Sequence, residues 1–113
     1  MKDRINRINQ EIKKELSEII RELKDPRINS MTSVIAVDTA KDLRSAKVYI
    51  SVLGDQQSQL DTIKGLRSAS GFIRREIGMR LDLRSNPDLV FELDHSIEYG
   101  AKINQILHSL EKE

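Results

Sequence analysis

The chain has no cysteine, so neither disulfides nor thiolate metal sites enter its fold, and this fits a reducing compartment. Tryptophan is also absent, and the only aromatics are Tyr49, Phe72, Phe91 and Tyr99. Phe72 and Phe91 are expected in the core, where a large ring buries most apolar area. The longest apolar run is Val34-Ile35-Ala36-Val37, far short of the roughly 20 residues that a membrane-spanning helix needs. Met1-Lys2-Asp3-Arg4 leads into a charged amphipathic pattern, not the apolar core of a signal peptide. The expectation is a soluble, non-exported, cytoplasmic protein with no membrane partner. With 113 residues, and no repeat, low-complexity stretch or linker, it is expected to be one domain over residues 1–113 with a core of its own.

The net charge is only +1, but the charge is unevenly spread. Residues 1–30 carry eight Lys/Arg against six Asp/Glu, and residues 31–63 carry three against four. Residues 64–84 carry six against two, which is +4, whereas residues 85–113 carry two against six, which is −4. The positive field therefore centres on residues 64–84.

Ile5, Ile8, Ile12, Leu16, Ile19, Ile20 and Leu23 recur at three- and four-residue steps, which predicts an amphipathic helix over about residues 4–24. Lys2, Arg4 and Arg7 cluster at its start, and Asp25-Pro26 ends it. Residues 31–38 are β-rich. Ala46, Val48, Ile50 and Val52 alternate with polar neighbours, so two strands are expected, paired antiparallel by default. Gly54-Asp55 closes the second, and Ser58-Gln59-Leu60-Asp61 has capping-box spacing for the next helix. Leu89, Phe91 and Leu93 give a third strand after Asn86-Pro87. Ser96 caps a last helix carried by Ile103, Ile106, Leu107 and Leu110. The order α-β-β-α-α-β-α implies an α+β domain with its helices packed on a three-stranded sheet.

Between the second and third strands, Leu60, Ile63, Leu66, Ser70, Ile73, Ile77 and Leu81 follow helical spacing and form one apolar stripe. Lys64, Arg67, Gly71, Arg74, Arg75 and Gly78 fall on an adjacent basic and sterically bare face. Ala69-Ser70-Gly71 is expected to break the helix in two, with Gly71 in a special backbone angle where a partner's backbone can come close. The alternative is a helix-turn-helix corner with an ordinary solvated basic face. Arg67 and Arg74 lie off the apolar stripe, so reversing their charge should weaken binding without unfolding the domain.

Catalysis finds no support in the residues. Asp94-His95-Ser96 are consecutive and cannot converge as a triad does, and His108 stands far off in sequence. Glu92 and Asp94 share one strand face, which reads as a solvated face more readily than as a cation site. There is no phosphate-binding glycine loop, dinucleotide fingerprint or metal-ligand spacing, so neither metal nor cofactor is expected. Three binding modes stay open: a DNA-binding helix-turn-helix, an RNA-binding KH-like cleft, and a protein-only adaptor. The strands flanking the helix pair favour the KH-like arrangement, although its usual GXXG loop is replaced by Ala69-Ser70-Gly71.

Ala-x-Gly in such a helix pair resembles the ribosome-binding factor A family of bacteria. Further stretches are similar to the same family: Asp25-Pro26-Arg27, Asp42-Leu43, the strand from Ala46 through Gly54, Phe72-Ile73-Arg74-Arg75-Glu76-Ile77-Gly78, Leu83-Arg84, Pro87-Asp88-Leu89, Phe91, and Asp94-His95-Ser96-Ile97-Glu98-Tyr99-Gly100. The resemblance covers nearly the whole chain. It implies a type II KH fold and a non-enzymatic, cold-shock-associated assembly factor, expected to act as a monomer. Such a factor binds the small (30S) ribosomal subunit and its 16S rRNA, assists late maturation and 5′-end processing, and works beside other assembly factors.

The family signature here is Ala69, Ser70 and Gly71. Charge and helical phase extend the expected RNA contacts to Lys64, Arg67, Ser68, Arg74, Arg75, Arg80 and Arg84, with Lys2, Arg4 and Arg7 as additional ones. Compared with longer relatives the chain is expected to stop soon after its last helix, with the net acidic tail Glu111-Lys112-Glu113.

Overall fold

The computed structural model describes residues 2–81 and 86–94. The elements are α1 (Lys2–Glu22), β1 (Thr32–Thr39), β2 (Ser45–Val52), α2 (Gln56–Ser68), α3 (Ser70–Leu81) and β3 (Asp88–Leu93). The expected last helix, its cap at Ser96, Arg84 and both histidines lie outside the described residues.

The sheet runs β1-β2-β3, with β2 antiparallel to β1 and parallel to β3. The β1–β2 register shifts between Val34 and Ala36, a bulge that leaves Ile35 opposite no partner. The hairpin closes through Ala40, whose N–H donates to the Ser45 carbonyl at 2.8 Å. Leu43 takes φ 61°, the left-handed conformation that glycine or asparagine would ordinarily fill. The absence of an Asn-Gly pair in this loop is thus met by a strained leucine.

The alternation expected of β2 is complete: Ala46, Val48, Ile50 and Val52 are all buried, and Phe91 of β3 joins them. Against this face α1 lays Ile12, Leu16, Ile19 and Ile20, while α2 and α3 contribute Ile63, Leu66, Ile73 and Ile77. The apolar stripe is therefore real from Ile63 onward. Leu60 is a correction, because it is exposed; the buried face of α2 runs through Gln59, Thr62, Ile63 and Leu66, which leaves Leu60 one position off it.

The start of α2 is a second correction. Asp55, not Ser58, is the N-cap, and its Oδ1 accepts the Ser58 N–H at 2.7 Å. Both residues fit the capping pattern. The earlier one adds nearly a turn of helix and so satisfies more of the backbone. Among the described residues, no helix is long and apolar enough to cross a membrane.

Candidate nucleic-acid interface

One residue, Ala69, separates α2 from α3. Its φ of −89° and ψ of 2° turn the chain, its N–H donates to the Gly65 carbonyl at 3.1 Å, and its own carbonyl accepts from Ile73 at 2.9 Å. The corner is thus made with backbone angles open to any residue. No described glycine has a positive φ, so the expected special angle at Gly71 is corrected. A Cβ built on Gly71 would meet nothing within 4 Å. The bareness of the corner is therefore a property of its outer surface, not a requirement of its backbone.

Behind the corner the segment leading into β1 is docked on α2. Gly65 lets it approach: a Cβ there would lie 2.8 Å from Ile28 Cγ1 and 3.4 Å from Arg27 Cβ. Thr62 is fully buried, and its hydroxyl accepts the Asn29 N–H at 3.1 Å and donates to the Ser58 carbonyl at 2.8 Å. The Asn29 side chain in turn reaches Ser58 Oγ at 2.7 Å and the Leu53 carbonyl at 3.2 Å. Thr62→Val keeps the shape and strands the Asn29 N–H, so chemical denaturation should show a loss of about 1–3 kcal/mol.

The expected basic residues divide into free and committed groups. Lys64 and Arg75 are exposed and make no hydrogen bond or ion pair with the described residues. Arg67 Nη2 donates to the Phe91 carbonyl at 3.3 Å. Arg74 donates from Nε and Nη2 to the Asn86 carbonyl at 3.0 and 2.7 Å, and lies 3.3 Å from Asp88. The Asn86 amide returns a bond to the Arg74 carbonyl at 2.8 Å, so Arg74 clasps the approach to β3. Charge reversal at Arg67 or Arg74 therefore tests structure along with binding, which corrects the expectation based on the apolar stripe alone.

Arg80 has the most ion-pair partners of these cations among the described residues. Glu15, Glu18, Glu22 and Glu76 surround it at 3.3, 3.5, 3.2 and 3.6 Å. Desolvation acts to lower its pKa, but the hydrogen bond it donates to Glu15 and the charge of Glu22 outweigh it and hold the guanidinium above its ordinary range. It ties α3 to α1. Ser68 and Gly71 are exposed, Ala69 and Ser70 half-buried. Arg4 and Arg7 are exposed on α1, Arg7 standing 3.8 Å from Glu11; Lys2 opens that helix.

Two residues at the corner escape sequence reasoning. Phe72, expected in the core, keeps 47% of its surface exposed beside Gly71, and Met79 keeps 70% two turns on. Phe72 sits one position off the phase of Ile73 and Ile77, the signal that could have placed it outside. Arg27 is the other. Its guanidinium lies 3.4 Å from Ser68 Oγ while it grips Asp25 at 2.8 Å.

That grip, with the Arg27 backbone N–H adding a second hydrogen bond, holds the Asp25 carboxyl below its ordinary value of 3.8. A depressed carboxylate stabilises the fold above that ordinary value, and its contribution is lost as pH falls through the lower folded one. Asp25→Asn should therefore melt below the parent at neutral pH, with the difference shrinking once pH falls below 3.8 and gone beneath the lower folded value, followed by thermal melts across pH.

This arrangement has close relatives. The family model described as ribosome-binding factor A matches residues 4–107. The chain belongs to the ribosome-binding factor A family. A member from Caldanaerobacter subterraneus subsp. tengcongensis is 51% identical across 100% of this chain and 93% of its own length. One from Agathobacter rectalis is 54% identical over 94% of this chain and 88% of its own.

Solved structures agree on the fold. The crystal structure of ribosome-binding factor A from Thermus thermophilus superposes with a TM-score of 0.70 at 25% identity, covering 79% of this chain and 94% of that one. A homology model of the Thermus thermophilus factor, fitted into a cryo-EM map of a 30S complex, superposes with a TM-score of 0.63 at 26% identity, over 75% of this chain and 89% of that one.

Proposed function

We propose that this family member binds the small ribosomal subunit and its 16S rRNA through the α2–α3 corner of a KH-like domain. The observation that carries this is Gly71: a glycine costs up to about 1 kcal/mol in a helix, yet here neither backbone angle nor packing calls for one. Lys64 on α2 and Arg75, one turn after Gly71 on α3, are two exposed cations that the described fold does not use. Bare backbone on a segment that carries free cations admits a phosphate chain closely and gives affinity without base identity. Phe72 offers one ring face beside it, enough to stack a single unpaired base. The Thermus relative placed in a 30S complex supports the same partner.

The finer reading follows the family resemblance. The chain acts without catalysis, metal or cofactor, as a cytoplasmic monomer beside other assembly factors, in late maturation and 5′-end processing of 16S rRNA and in adaptation to cold. Arg67, Ser68, Ala69, Ser70, Arg74, Arg80 and Arg84 complete the proposed contact set, with Lys2, Arg4 and Arg7 beyond it. Co-sedimentation of the purified chain with mature and precursor small subunits tests the binding. Salt-sensitive association is expected, and none at low salt would reject it. Mapping of 16S 5′ ends in cells depleted of the protein tests the processing role, with accumulated precursor as the expected result.

A further inference from the structure

The charges of α1 are sorted by face in a way the corner does not explain. Glu15, Glu18 and Glu22 lie on the flank toward α3, where Arg80 gathers them. Arg7, Lys14 and Arg21 follow one another at seven-residue steps along the crest opposite the buried stripe, and all three are exposed. Such steps drift only about 20° each and rise about 10 Å, so the three cations form a nearly straight row roughly 21 Å long.

On an ordinary solvated helix the glutamates three and four residues away would pair with these cations. Here Glu18 stands between Lys14 and Arg21 in sequence but is spent on Arg80 at 3.5 Å. Among the described residues Lys14 has no ion pair, Arg21 only donates to the Ser17 carbonyl at 3.2 Å, and Arg7 keeps Glu11 at 3.8 Å.

At the end of the row, Arg21 helps line a hollow of about 320 Å³ between α1 and β1. The other lining residues are Ser17, Ser30, Thr32 and Ser33 with the apolar Ile20 and Val34, and no acid is among them. Ser17 donates to the Lys13 carbonyl and Thr32 to the Asn29 carbonyl, while the Ser30 and Ser33 hydroxyls make no hydrogen bond with the described residues. An arginine beside serines and a threonine, with no acid among the lining residues, is suited to phosphate and ribose oxygens.

We propose that the α1 crest and this hollow form a second RNA surface, which takes the phosphate backbone of a base-paired segment. The carboxylates around Arg80 separate it from the corner. A straight, rigid row of charge matches a duplex, whose phosphates are already fixed. The crest carries no aromatic on which a single-stranded base could stack, and A-form RNA is recognised through phosphates and 2′-hydroxyls. The proposed function of the corner supplies RNA as the class of partner; the crest itself is tested without a ribosome.

The test is anisotropy of a labelled RNA duplex of about 16 base pairs of arbitrary sequence, titrated with the full chain at several salt concentrations. The parent should bind with a steep salt dependence. The triple variant Arg7→Gln/Lys14→Gln/Arg21→Gln should keep the parent's melting temperature, lose about tenfold or more in affinity at low salt, and lose about two to three units of log–log salt slope. Lys41→Gln/Lys47→Gln, which removes two exposed cations that belong to neither surface, should bind the duplex within about twofold of the parent. The proposal is overturned if the parent ignores the duplex, if the triple variant binds like the parent, or if the Lys41→Gln/Lys47→Gln variant loses as much affinity as the triple variant. Loss of subunit co-sedimentation by the triple variant, with a parent that ignores duplex RNA, assigns the crest to an acidic protein surface and equally overturns it. Failure of the corner reading would instead appear as parent-like subunit binding by Lys64→Gln/Arg75→Gln.

Discussion

Gly65→Val is expected to destabilise the fold by about 3 kcal/mol, lowering the melting temperature by roughly 10 °C or more for a chain of this size. The first added carbon would sit 2.8 Å from Ile28 Cγ1, inside any real carbon–carbon contact. Ile28 cannot simply swing away, since Arg27 Cβ closes the other side at 3.4 Å and the segment is anchored by the Thr62 and Asn29 hydrogen bonds. Relief requires lifting the whole segment off α2, and β1 follows directly after it. Better helix propensity returns at most about 1 kcal/mol. Denaturant titration of Gly65→Val and Gly65→Ala, with the alanine variant intermediate, checks this.

The second large effect concerns binding. Lys64→Glu/Arg75→Glu should lower affinity for small subunits on the order of 100-fold, from two lost charge-assisted phosphate contacts, and reduce the salt slope by about two. Neither side chain has a partner among the described residues, so the stability should stay within about 0.5 kcal/mol of the parent's. The committed arginines behave differently. Arg74→Glu would set a carboxylate against the Asn86 carbonyl and Asp88, and should lose stability along with binding. Comparing the two variants by subunit co-sedimentation and melting separates contact from clasp.

What the sequence could reveal follows from the range of each interaction. Strand β2 was legible because its alternation is a local signal and every second residue is buried. The helices were legible from their stripes, and the corner from Ala69-Ser70-Gly71. The parallel place of β3 beside β2 depends on a long connection that no local pattern encodes. The same holds for the arginines: nothing near Arg80 in sequence announces Glu15 and Glu22, and nothing near Arg67 announces the Phe91 carbonyl. Counting charge therefore placed six cations on one surface; of the five among the described residues, contacts across the fold leave Lys64 and Arg75 free. The special angle expected at Gly71 is absent, because glycine suits both a left-handed angle and an open surface, and only backbone geometry tells these apart.

The affinity of Gly71→Leu for purified small subunits, measured beside its melting temperature, tests the central claim most directly. Open space around the position and ordinary helical angles mean that the leucine should fold at least as stably as the parent, gaining up to about 1 kcal/mol in helix propensity. Its side chain would fill the open space beside the α3 backbone, and binding should fall about tenfold or more, as expected when backbone can no longer meet a phosphate chain. A folded Gly71→Leu protein that binds subunits as tightly as the parent would contradict the account.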